Sequence, residues 1–176
     1  MDILTDITAR RAALAPDATA FHIVETGETL SYADLDRRSA CAASLLAADG
    51  IDAGDRVAIL CRNRVEFFEL LFACAKLGAI LVPLNWRMPA SELDGLVEDC
   101  TPKLIVFGDE DRETAAALAS THGLASLDLE TGYAGRRDAL EPHAGRTAWP
   151  GEEPWYLIYT SGTTGDPKGV LYSHRS

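Results

Sequence analysis

Tyr159-Thr160-Ser161-Gly162-Thr163-Thr164-Gly165-Asp166-Pro167-Lys168-Gly169-Val170 is the stretch around which the chain is read. Five apolar residues, Trp155 to Tyr159, lead into it, and Val170 to Tyr172 lead out, which is the pattern of a loop between two strands. The loop combines three glycines, four hydroxyls and one lysine. Glycine lets backbone N–H groups approach a ligand without an intervening Cβ, and hydroxyls with an ammonium supply donors, so the composition suits a polyanionic phosphate. The Walker pattern G-x-x-x-x-G-K-[ST] does not fit. Lys168 follows Pro167, and Gly169 stands where Ser or Thr is required. Pro167 also disfavours the α region at Asp166, so no helix is expected to start directly beneath the phosphates.

Upstream, strand and helix patterns alternate. The sequence from Ile3 to Leu14 reads as a short amphipathic helix closed by Pro16, and Thr26-Gly27-Glu28 as a hairpin turn between Phe21–Glu25 and Thr29–Ser31. Ser31-Tyr32-Ala33-Asp34 has the form of a capping box for a helix running to Gly50. A buried strand from Val57 to Cys61 follows. A second helix is expected to open at Asn63, with Glu66 as its reciprocal cap, and to stop at Gly78.

Ile80 to Leu84 is the next strand, where Pro83 implies a sheet edge or a strand end. A third helix starts near Pro89, with Leu93, Leu96, Val97 and Cys100 on one face, and Pro102 ends it. Lys103 to Phe107 reads as a strand, Asp109 to His122 as a polar helix, and Leu124 to Leu129 as a short strand. Strands and helices at this spacing imply an α/β fold, a Rossmann-like parallel sheet flanked by helices, with ligands at the carboxyl ends of strands. Residues 1–130 form the expected α/β subdomain, 131–154 an irregular connection, and 155–176 a strand, loop and outgoing strand.

A net charge of −11 argues against a nucleic-acid or anionic-membrane partner. No stretch reaches the roughly 20 apolar residues of a membrane span. Cys41, Cys61, Cys74 and Cys100 are too widely spaced for a zinc site and lie in apolar patterns, which points to free thiols in a reducing cytoplasm. His22, His122, His143 and His174 are scattered, and a helix-cap neighbourhood is expected for His174. Trp86, Trp149 and Trp155 read as packing residues. Arg136-Arg137 reads as solvated, and Arg62, Arg64 and Arg87 as weak candidates for surface or dimer contacts.

Thr160 to Val170 as a whole resembles the phosphate-binding signature of the adenylate-forming superfamily of acyl-CoA synthetases, luciferases and peptide synthetase adenylation domains. The resemblance extends to Thr29–Leu35, Gly54–Ala58 and Lys76–Asn85, and Leu84-Asn85-Trp86-Arg87-Met88 is most similar to synthetases acting on fatty or aromatic acids. It implies the incomplete N-terminal portion of an adenylate-forming large domain. In that family a carboxylate attacks the α-phosphate of Mg-ATP to give acyl-AMP and pyrophosphate, and the thiol of coenzyme A then displaces AMP.

Carried over to this sequence, Thr160, Ser161, Gly162, Thr163, Thr164, Gly165 and Lys168 would cradle the β- and γ-phosphates. Thr160 is the residue that could also ligate magnesium. The resemblance places the family's adenine, ribose and acyl sites and its catalytic lysine beyond Ser176. The segment is therefore expected to contain no catalytic residue and to be inactive alone, with ATP, Mg and coenzyme A serving the full-length enzyme. Two alternatives stand beside this reading, an adenylation domain loading a carrier protein and a non-catalytic stand-alone module binding nucleotide or a partner; a homodimer is a possible assembly.

Overall fold

The computed structural model describes residues 3–160 and 167–176. Its centre is a six-stranded sheet. β1 (Ile3–Thr5) lies outside it and pairs antiparallel with β8 (Ala148–Pro150), while β2 (Thr19–His22) and β3 (Thr29–Ser31) form a separate hairpin. β4 (Arg56–Leu60), β5 (Ile80–Pro83), β6 (Leu104–Phe107), β7 (Ala125–Asp128), β9 (Pro154–Thr160) and β10 (Lys168–Ser173) make the main sheet, in the order β10-β9-β5-β4-β6-β7. All neighbours are parallel except β10, which returns antiparallel along β9.

Alternation along the strands divides the core. Val57, Ile59, Leu81, Leu104 and Val106 face α2 (Tyr32–Ala48) and α3 (Val65–Leu77), whereas Ala58, Leu60, Val82 and Ile105 face α4 (Ala90–Cys100) and α5 (Arg112–His122). Parallel strands joined by helical crossovers are covered on both faces, so these segments are apolar throughout, without a polar side. All four residues of β6 are buried.

The helix ends follow local chemistry where the sequence supplies it. Ser31 and Asp34 form the reciprocal capping box, with Ser31 Oγ accepting from the Asp34 amide at 3.1 Å and the Asp34 carboxylate accepting from the Ser31 amide at 3.1 Å. Gly78 takes φ 81° and closes α3 in the left-handed region, where L residues with a Cβ are strained.

Several expectations are corrected. The first helix is α1 (Ile7–Leu14), not a continuous Ile3–Leu14 helix, because the Asp6 carboxylate accepts from the Ala9 amide at 3.1 Å and caps a shorter element, freeing Ile3–Thr5 to pair with β8. α3 begins at Val65 with no side-chain cap, since Glu66 binds the Arg64 guanidinium at 2.8 Å instead of reaching back to Asn63. Pro83 ends β5, a strand with neighbours on both sides, so it marks a strand end and not a sheet edge.

The supposedly irregular connection carries a π-helical turn (Leu129–Tyr133), α6 (Ala134–Asp138) and β8. Within it Arg137 is buried, not solvated. Its Nη1 donates to Glu69 at 2.6 Å, and the Tyr133 hydroxyl donates to the same carboxylate at 2.7 Å. Glu69 itself is 0% exposed, and Arg38 approaches it to 3.6 Å from α2. Arg136 stays on the surface and pairs with Asp49 at 2.5 Å.

A second charged cluster fastens the N-terminal elements. Lys76 Nζ donates to Asp6 and to Asp36, each at 2.7 Å, and Thr8 Oγ1 donates to Asp36 at 2.8 Å. Burial disfavours the charged Asp6, but Lys76 and the Ala9 amide outweigh it and hold the carboxyl below its ordinary range. No helix among the described residues is long and apolar enough to cross a membrane.

Candidate functional site

β9 runs parallel to β5, with Tyr156 opposite Leu81, and therefore delivers Thr160 to the same edge at which β4 and β5 end. This is the edge at which ligands bind open parallel sheets. β10 starts at Lys168, in register with Thr160, and Thr160 Oγ1 faces the Lys168 carbonyl at 3.5 Å. The hairpin read from the sequence is present. Thr160 and Lys168, which close the base of the loop, are both exposed. The calls on Ser161, Gly162, Thr163, Thr164 and Gly165 lie outside the described residues.

Beside the hairpin base opens a cleft of about 530 Å³, lined among others by Leu84, Asn85, Met88, Glu92, Tyr159 and Thr160. Asn85 Oδ1 accepts from the Arg87 amide at 3.1 Å, which fixes the turn after β5. Trp86 in that turn lies under two guanidinium groups, Arg62 at 3.4 Å and Arg87 at 4.2 Å from its ring centroid. Arg62 and Arg87 are thus engaged within the chain by cation–π contact. Arg64 is paired with Glu66 and with Glu130, the latter at 2.5 Å.

Tyr159, the residue before Thr160, reads from the sequence only as the last of the apolar residues leading into the loop. Its hydroxyl donates to the Asp99 carboxylate on α4. Burial, reinforced by the Asp99 charge, pushes this phenol well above its ordinary range and keeps it a donor. Gly169, counted as a loop glycine in the sequence, is the β10 partner of Tyr159. A Cβ there would meet Leu157 Cδ1 at 3.1 Å and Tyr159 Cε1 at 3.3 Å, so the position needs glycine for close approach and not for a positive φ.

The cysteines behave as small hydrophobes. Burial pushes Cys61 and Cys100 up to about 11 and Cys74 up to about 12, which leaves no thiolate nucleophile among them at neutral pH. His174 is not a helix cap. It stacks on Trp155 at 4.8 Å and meets the tilted Trp149 ring at 5.0 Å, and burial lowers its pKa to about 4. No cluster of three or more His, Cys, Asp or Glu side chains suited to a metal occurs among the described residues. Among the described residues, Thr160 and Lys168 set one hydroxyl and one ammonium at this edge of the sheet.

Comparison with known proteins agrees with that geometry. The sequence profile of the AMP-binding enzyme family matches residues 8–176. A feruloyl-CoA synthase of Amycolatopsis sp. is 39% identical over 165 residues, 94% of this chain and 32% of that protein. A fatty acid–[acyl-carrier-protein] ligase, ScoC, of Streptomyces coeruleorubidus is 36% identical over 151 residues, 85% of this chain and 29% of the relative. Among solved structures, the inhibitor-bound N-terminal domain of FACL13 from Mycobacterium tuberculosis gives a TM-score of 0.89 at 30% identity, over 97% of this chain and 45% of that one. The chain spans about a third of the length of the curated relatives it matches.

Proposed function

The chain belongs to the AMP-binding enzyme family, and from that membership we propose that the protein containing it activates a fatty or aromatic carboxylic acid with ATP and passes the acyl group to coenzyme A. The carboxylate oxygen bonds to the α-phosphorus, the bond to the β-phosphate bridge breaks, and pyrophosphate leaves. The coenzyme A thiol then attacks the acyl carbon, and AMP departs. The observation that carries this reading is the hairpin base: Thr160 and Lys168 meet at the carboxyl edge of the parallel sheet and bracket the glycine- and hydroxyl-rich segment.

In this reading Lys168, Thr160 and the loop amides between them hold the β- and γ-phosphates, and their donors stabilise the charge that grows on the departing pyrophosphate. The donor set suits the group, because hydroxyls and one ammonium complement a polyanion. Magnesium, which Thr160 Oγ1 would help to hold, supplies further charge neutralisation when bound. Residues 1–176, about a third of the length of the curated relatives, are proposed to be inactive alone. The four free cysteines fit a reducing cytoplasm.

Acid-dependent ATP–pyrophosphate exchange by the complete protein tests the assignment. Lys168→Ala is expected to lower the exchange rate by about 10²–10³-fold, the range for losing one preorganised charge-stabilising donor, while leaving the melting temperature unchanged because the side chain is exposed. Full exchange activity in that variant would remove the loop from the mechanism. The identity to ScoC favours a second reading in which a carrier protein takes the acyl group. Comparing coenzyme A with a phosphopantetheinyl carrier as acceptor separates the two.

A further inference from the structure

The carboxyl end of β9 is held to the body of the sheet mainly through side chains, since its register with β5 is the single pair Leu81 and Tyr156. Leu157 is buried, and beyond it the Tyr159 hydroxyl reaches Asp99, 60 positions earlier in the chain. Asp99 stands in the last turn of α4, and that helix end is itself fixed. Arg56 Nε donates to the Cys100 carbonyl at 2.8 Å, and its Nη2 donates to the Thr101 carbonyl at 2.8 Å and to Thr101 Oγ1 at 2.6 Å. Thr101, at φ 42°, ends the helix there. On the opposite side, the bare backbone of Gly169 lies against the Tyr159 ring. The ring is therefore gripped at its hydroxyl by α4 and along its flank by β10.

We propose that Tyr159 is a positioning residue for the hairpin base, tying β9 to α4 through Asp99 and so fixing where Thr160 and Lys168 stand when nucleotide binds. The inference rests on the reading given under Proposed function. Thr160, the next residue of β9, stands in register with Lys168 of β10, so anchoring Tyr159 fixes the strand end that presents this pair.

The test is acid-dependent ATP–pyrophosphate exchange by the complete protein carrying Tyr159→Phe, Asp99→Ala, both together, or Asp99→Asn. Loss of one hydrogen bond to a charged group predicts that KM for ATP rises about tenfold in Tyr159→Phe and in Asp99→Ala, with kcat and melting temperature nearly unchanged. The double variant should be no worse than the poorer single one, and Asp99→Asn, which keeps an acceptor, should recover most of the affinity.

An unchanged KM for ATP beside a crippled Lys168→Ala enzyme would overturn this inference and leave the proposed function standing. So would a fall in melting temperature with KM unaltered. Full exchange by Lys168→Ala would instead overturn the proposed function, and this inference with it. Should Tyr159→Phe fail to fold, Asp99→Ala gives the same readout, since Asp99 is exposed and its truncation leaves the core intact.

Discussion

β6 and β10 belong to one sheet, yet their surroundings are opposite. Every residue of β6 is buried, whereas five of the six residues of β10 are exposed and the sixth is half-buried. β6 is a parallel strand, and the crossover helices that connect parallel strands cover both of its faces. β10 is an antiparallel return and the outermost strand of the sheet among the described residues. The molecule thus divides its labour: the covered parallel strands and their helices carry the stability, and the open hairpin carries the exposed donors.

The division can be broken most directly on the stable side. Glu69 is buried under Arg137, Tyr133 and Arg38, so Glu69→Ala leaves buried guanidinium charge without its partner. A loss of about 3–5 kcal/mol in urea denaturation is expected, and an unchanged midpoint would mean that the helical layer over α3 does not hold the fold as described.

A smaller effect tests the seam between the two regions. His174, just after β10, is kept neutral by burial, with Arg146 acting the same way and Glu153 opposing, and its pKa falls to about 4 from an ordinary 6.5. Because the folded value is depressed, the unfolded chain binds the proton more readily. The associated stability is complete above about pH 6.5, is lost as the pH falls, and is gone below about pH 4. Allowing for the solvent access of a half-buried ring, the change is on the order of 1 kcal/mol. Melting curves across that window should flatten at this step in His174→Gln, and an unaltered slope would show that the Trp149–His174–Trp155 stack does not titrate with folding.

The smallest effect belongs to the open side. Leu171 is 57% exposed on β10, so Leu171→Ser should alter stability by no more than about 0.5 kcal/mol. A larger loss by thermal denaturation would show that the exposed edge contributes more to the fold than its burial suggests.

Much of the architecture was legible because its signals are local. The Ser31–Asp34 box spans three residues, the Gly78 stop spans one, and the buried strands announce themselves as apolar runs. The two strands flanking the loop were legible for the same reason, and their pairing sets Thr160 opposite Lys168. Misreadings arose where a residue had two possible partners. Glu66 could cap Asn63 or bind Arg64, and the adjacent guanidinium offered the stronger, charge-assisted bond. Asp6 could lie within a helix or cap one, and the pairing of β1 with β8, far along the chain, decided it.

Sequence alone determined the alternation of strand and helix, the hairpin carrying the donor-rich loop, and the family to which those residues point, because each depends on the order of neighbours along the chain. Only the tertiary structure decided that Arg137 is a buried partner of Glu69, 68 positions away, and that Tyr159 reaches Asp99 across 60. It also decided that His174 lies against two tryptophans. The reason is physical: whether a polar side chain is solvated, paired or desolvated depends on what the rest of the fold lays over it, and no periodicity along the chain records that.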